Sequence, residues 1–303
     1  LALVGPFLYA LANHTDKYMI KRYLKGGEVG ALIIFSALFN IFFLPVSLVF
    51  RPDVLNIGIL NAVILMINGA ITVLAIILYF FALQRDEATY VVPFYQTVPI
   101  FGYLIGYLVL GERLGVGEIV SSRLIIAGAL VLSFELGGKK VRFKSEVVWL
   151  MLGASLLFAV NAVIFKLLAL GEGEGFWLAS FWSYVGKALV GVGLFIFISP
   201  YRQQFLTLIR VNRLKIIGLN VGNEIATIAA DSISLFAALL APVALVLTVN
   251  GFQPFFVFIL GILLTFFYPK IIEEKMDRLS LAQKCLGIGL ILAGSISIGL
   301  FYQ

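Results

Sequence analysis

Asn220, Asn223, Glu224, Thr227 and Asp231 stand within an otherwise largely apolar stretch. Their spacing is i, i+3, i+4, i+7 and i+11, so on a helix they share one face. On insertion scales an acid at mid-span costs about 2.5–3.5 kcal/mol, so two that stay charged and unpaired cost roughly 5–7 kcal/mol. The pair must therefore be protonated, paired or wet. The functional reading is a cavity wall on which Glu224 or Asp231 carries a proton or cation beside groups that hydrogen-bond a solute. The bland reading is a polar seam between helices.

A second cluster lies near the start. Asn13, Asp16 and Lys17 fall at i, i+3 and i+4, with His14 beside them. Asp16 and His14 join the candidates for coupling. Lys17 and Lys166 each sit near a helix end, where snorkelling to headgroups is the plain account. Alternatively, they neutralise the acids or bind an anionic group on a solute. Lys187 follows Trp182, Ser183 and Tyr184. Trp182 and Lys187 are candidates to line a cavity with Asn68, Tyr79, Tyr95, Gln96, Asn223, Thr227, Asn250 and Gln253, although aromatics near span ends also anchor at the interface. Tyr95, Gln96 and Gln253 lie close to Pro99 and Pro254, where a backbone can bend. Gly102-x-x-x-Gly106 suits close helix packing, and Gly261 is its match later in the chain. Glu112-Arg113 reads as an ion pair at a helix end, worth little by itself.

Other chemistry is poorly provided for. The chain has one Cys (Cys285) and one His, which disfavours a disulfide or a zinc site. It holds no His-Glu-x-x-His and no serine elbow, so a non-enzymatic protein without cofactor or metal is expected.

These groups need a scaffold that lives in lipid. Of the 303 residues 61% are hydrophobic and 13% charged, against about 25% charged in soluble domains, and mean hydropathy is +1.06. Backbone in lipid must satisfy itself as helix or closed barrel. Apolar runs of about 20 residues fit helices rather than barrel strands. The pattern predicts ten spans, at 1–20, 29–50, 57–83, 88–110, 116–136, 147–170, 176–199, 214–239, 241–268 and 281–302. Leu1 to Leu11 runs straight into a span, so no leader is read there. Gly137-Gly138-Lys139-Lys140 separates two halves, 1–138 and 146–303. Tyr201 through Arg213 is read as the longest polar connection.

The halves echo each other. Lys17 maps on Lys166. At a common offset, Asn68 maps on Asn223, Thr72 on Thr227, Phe81-Ala82 on Phe236-Ala237, Pro99 on Pro254 and Gly106 on Gly261. Five helices per half is an odd number, so the second half would insert upside down. Inverted repeats suit alternating access, with a solute site near the midplane.

The stretch from Phe80 to Leu132 is more specific. It reads aromatic-Ala-Leu, Ala88, Val91-Val92-Pro93, Val98-Pro99-Ile100, Leu110-Gly111-Glu112-Arg113-Leu114 and Ala127-Gly128. It resembles the EamA-type transporters of the drug/metabolite transporter superfamily. In half two Phe267-Tyr268-Pro269 replaces Gly-Glu-Arg, and acids recur only at Glu273-Glu274. The resemblance implies an all-α membrane protein of ten helices in two EamA repeats. It also implies an exporter or exchanger of a small metabolite such as an amino acid. A phosphorylated or anionic metabolite antiporter and a channel or sensor are the alternatives. The expected surroundings are the lipid bilayer of a plasma or inner membrane and a small solute, with no nucleic acid. A monomer or weak homodimer is expected.

Loop charge bears on orientation. Fifteen Lys and Arg fall on the odd connections and two, Arg51 and Arg113, on the even ones. Such residues collect in the cytoplasm, which places both termini outside. The resembling family usually keeps both inside, and the charge count is preferred here.

Overall fold

The structure, a computed structural model, describes residues 3–23, 29–85, 91–133, 145–171, 175–211, 213–267 and 278–301. These residues are almost entirely helical and include no strand. In chain order the helices are α1 (Val4–Tyr23), α2 (Gly30–Phe50), α3 (Ile59–Arg85), α4 (92–110), α5 (Val116–Ser133) and α6 (Ser145–Gly171). They continue as α7 (Gly175–Phe197), α8 (Ser199–Val211), α9 (Arg213–Leu240), α10 (243–267) and α11 (Arg278–Phe301). Six of them, α2, α3, α6, α7, α9 and α10, are long and apolar enough to cross a bilayer. Shorter apolar stretches occupy Phe94–Leu110 in α4 and Cys285–Gly294 in α11. Ala88, the Gly137-to-Lys144 connection, Pro269 and Glu273-Glu274 lie outside the described residues.

One element departs from the sequence expectation. The polar connection from Tyr201 is largely the helix α8. Tyr201, Phe205, Leu208 and Ile209 give it an apolar stripe opposite Gln203, Thr207 and Arg210, which is the pattern of a helix lying along a membrane surface. It packs on α2, where Tyr201 and Gln204 crowd Gly30, and Phe205 meets Phe35. Its low mean apolarity hides it from a search for spans.

α1 and α6 each pack mainly on helices distant in sequence. α1 lies against α9 and α10, and α6 against α3 and α4, while α5 pairs with α11 and α2 with α7. The outward faces are apolar: Ile59 and Phe197 are each 84% exposed and Leu108 is 78% exposed. Such a rim is a surface for lipid, not water. Contacts separate two ends of the bundle. At one end Phe50 stacks on Trp177 at 5.1 Å and Trp182 Nε1 donates to the Val54 carbonyl at 2.9 Å. At the other end Arg85 pairs with Glu146 at 2.8 Å and Gln283 Nε2 donates to the Val131 carbonyl at 2.5 Å.

α4 and α10 share a break. In α4 a 3-10 turn, Val92–Thr97, runs into the α-helical segment Val98–Leu110. In α10 the 3-10 turn Asn250–Phe252 runs into Gln253–Phe267. Pro99 and Pro254 each stand second in the α-helical segment, where a missing N–H costs nothing. The prolines therefore begin helical segments instead of kinking a continuous one.

Candidate functional site

A cavity of about 230 Å3 lies within the bundle. Eight helices line it: α1, α2, α3, α4, α6, α7, α9 and α10. Both 3-10 turns face it, through Tyr95 and Gln96 in α4 and through Asn250 and Gly251 in α10, with Gln253 next along. A tightened turn presents side chains and backbone that a continuous α-helix would hold elsewhere.

The charged groups form two sets. In the first, Asp231 Oδ1 accepts from the Tyr9 hydroxyl at 2.6 Å and Oδ2 from Lys187 Nζ at 3.1 Å. Lys187 also lies 4.8 Å from the centre of the Tyr184 ring, so its charge has a carboxylate and an aromatic face as neighbours. In the second set, Asp16 Oδ1 accepts from Asn223 Nδ2 at 2.8 Å, and Glu224 Oε1 accepts from the Ser36 hydroxyl. The helical spacing of α9 places Asn223, Glu224, Thr227 and Asp231 along one wall. They reach three different helices, α1, α2 and α7. Opposite stands an aromatic group in which Tyr95 is 5.3 Å from Tyr79 and 5.8 Å from Phe158.

Of the residues singled out in the sequence, Asn13, Asp16, Tyr79, Tyr95 and Gln96 line the cavity, and so do Lys187, Asn223, Glu224, Thr227, Asp231 and Gln253. Others stand elsewhere. Lys166 does not meet Glu224 or Asp231. Its Nζ pairs with Glu112 at 2.7 Å and donates to the Ala241 carbonyl at 2.7 Å. Glu112 therefore serves Lys166 and not the adjacent Arg113, and its other oxygen accepts from the Val243 N–H at 2.8 Å. Lys17 is exposed on α1, away from the cavity. Trp182 is held at the bundle end by Val54. Asn68 is fully buried between α3 and α6, where it and Asn161 each donate to the other's carbonyl at 3.3 and 3.4 Å. His14 Nε2 bonds the Val257 carbonyl at 2.9 Å, tying α1 to α10.

The packing glycines have local reasons. Gly102 faces Leu247 and Ala244 of α10, so α4 meets α10 closely there. Gly106 leaves room for the Glu112 carboxylate, 3.0 Å from where a Cβ would stand. Gly261 is buried on α10.

Sequence reasoning missed Tyr9, Ser36, Asn40 and Asn161, which also face the cavity. Tyr9 had a signal, since Tyr9, Asn13 and Asp16 fall at i, i+4 and i+7. Ser36 and Asn40 also fall at i and i+4, but single small polar groups in an apolar helix are common enough to hide them.

No curated protein matches the sequence at a significant level. A solved crystal structure, described only as that of a protein, shares the fold with a TM-score of 0.66. The match covers 99% of this chain and 95% of that one at 16% identity. Residues 1–134 match the pattern of the EamA-like transporter family. The first 134 residues are thus similar to the EamA-like transporter family, within a chain whose helical fold surrounds a buried polar cavity.

Proposed function

We propose that the chain is a secondary active transporter that carries a small metabolite across a plasma or inner membrane by alternating access. In this reading ten helices cross, α1 to α7 and α9 to α11, as inverted repeats over 1–138 and 146–303. α8 lies along the surface. The anionic-metabolite alternative relied on Lys17 and Lys166, and both stand off the cavity.

The observation that carries the reading is an unequal closure around the cavity. The repeat puts Gly69 on Glu224. Matching the helix ends Phe50 and Phe197 puts Ser36 on Ser183. In one pairing the backbone of α3 at Gly69 lies directly against Ser183, and Gly186 lies against Met66. In its mate α9 reaches α2 through the Glu224–Ser36 hydrogen bond, and these two helices touch far less. One side of the site is thus sealed by backbone and the other bridged by side chains, as one half-cycle of a rocking pair requires. Asp16 and Glu224 are the coupling groups, taking up and releasing a proton as the site changes sides.

Counterflow in liposomes tests the function. A solute chosen by thermal-shift screening of the purified protein accumulates in labelled form against an unlabelled pool, with saturation. Simple equilibration without counterflow would indicate a channel. Asp16→Asn and Glu224→Gln abolish the dependence on a pH gradient. Uptake that keeps that dependence in both variants overturns the coupling assignment.

A further inference from the structure

We infer that the cavity selects solutes bearing a positively charged amine on an aromatic or apolar body, in preference to anions and zwitterions. This rests on the transport-site reading above and deepens it.

The first ground is charge. Among the described residues the cavity holds three carboxylates, Asp16, Glu224 and Asp231, and one ammonium, Lys187. Lys187 is committed to Asp231, which Tyr9 also holds. Asp16 and Glu224 have only neutral donors, Asn223 and Ser36, and neither makes an ion pair among the described residues. Two carboxylates without a counter-ion, away from bulk water, are compensated by a proton or, when they release it, by a cation that arrives with the solute.

The second ground is the set of hydrogen-bonding atoms left over. Gln96 is 3% exposed and Asn223 6% exposed, and the side-chain carbonyl oxygen of each is buried without a donor. Both residues face the cavity. Buried acceptors without donors are costly. An ammonium presents three donors and no acceptor, so it matches these two acceptors in both charge and hydrogen bonding; the Asn13 amide nitrogen and the Ser183 and Tyr184 hydroxyls also face the cavity without a hydrogen-bond partner.

The third ground is the wall. Tyr79, Tyr95 and Phe158 offer aromatic faces to an apolar body, and such faces also attract cations. A zwitterion or anion would bring a carboxylate, and the one cation among the cavity's described residues already shares Asp231. That carboxylate would sit beside the Asp231 charge, which costs free energy.

The test is binding to the full-length chain in detergent, by calorimetry and thermal shift. The probes are matched sets: 2-phenylethylamine against 3-phenylpropionate and phenylalanine, and hexylamine against hexanoate and 6-aminohexanoate. The expected result is that an amine binds about tenfold or more tighter than its anionic and zwitterionic partners. Asp16→Asn and Glu224→Gln each weaken amine binding by about tenfold or more. The wild-type comparison needs no variant, so it stands even if a substitution prevents folding. The proposal is overturned if no amine binds, if an anion or zwitterion binds as well as its amine, or if both folded variants keep wild-type amine affinity. The outcomes separate from those of counterflow. Amine binding without counterflow refutes transport and leaves the selectivity, whereas counterflow of anions or zwitterions in preference to amines does the reverse.

Discussion

At the scale of single residues, Lys187 is held by its surroundings more than by its own helix. It is 7% exposed, and its partner carboxylate on Asp231 also accepts from Tyr9. Removing one member of a buried pair leaves the other charge uncompensated and costs about 3–5 kcal/mol. Asp231 is partly exposed, which argues for the lower end. Lys187→Met is therefore expected to cost about 3 kcal/mol, read as a lower melting temperature in detergent. The double variant Lys187→Met with Asp231→Leu recovers much of that loss, because two apolar groups leave no charge stranded. A double variant no more stable than the single would refute the pairing account. Here the sequence was half legible. Spacing put Glu224 and Asp231 on one face of α9, because helical periodicity is local. It could not reveal that Glu224 turns to α2 and Asp231 to α7, since partners seven residues apart on one helix are chosen by the neighbours.

At the scale of elements, the Leu-Gly-Glu motif does its work through one turn of backbone. Gly111 closes α4 in the left-handed conformation at φ 67°, which glycine adopts without a Cβ penalty. The Glu112 N–H then bonds the Gly106 carbonyl at 3.2 Å, and the side chain folds back over the bare Gly106. From there it reaches Lys166 of α6 and the first N–H of α10. The motif thus ties α4 to α6 and to the α9–α10 joint. Lys166→Met strands the Glu112 carboxylate, whose side chain is 14% exposed, and is expected to destabilise by about 3 kcal/mol or more. Glu112→Gln keeps an acceptor for Val243 but leaves the Lys166 ammonium, whose side chain is 10% exposed, without its counter-charge, so it is expected to cost a similar amount. Equal melting of Lys166→Met and wild type would show that the tie is not structural. The motif was readable as a string, but its role was misread as a pair with Arg113, because adjacency in sequence stood in for a contact made across the bundle.

At the scale of the whole molecule, the proposed repeat matters most for its inequality. Asp231 answers to Ile76 and Glu224 to Gly69, so each of these acids exists in one copy only. The Glu112–Lys166 tie sits at one end, while Lys17, the repeat mate of Lys166, is exposed near the other. The six helices long and apolar enough to cross a bilayer were readable because hydropathy over about 20 residues is a strong signal. α8 was not, because a surface helix lacks that signal. Which end faces the cytoplasm follows from charge. The end that carries the Glu112–Lys166 tie joins loops with Arg51 and Arg113 alone, and α8 with Arg202 and Arg210 lies at the other end against the start of α2. A bias of fifteen cationic residues to two sets orientation during insertion, so the tied end is expected outside. In a Cys285→Ala background, Asp53→Cys should react with a membrane-impermeant maleimide on intact cells. Gln203→Cys should react only after the cells are permeabilised. Both native residues are exposed in loop or surface helix, so accessibility to reagent is set by the side of the membrane and not by burial. The reverse labelling would place the tied end in the cytoplasm, and the cavity's looser α2–α9 side would then open outward.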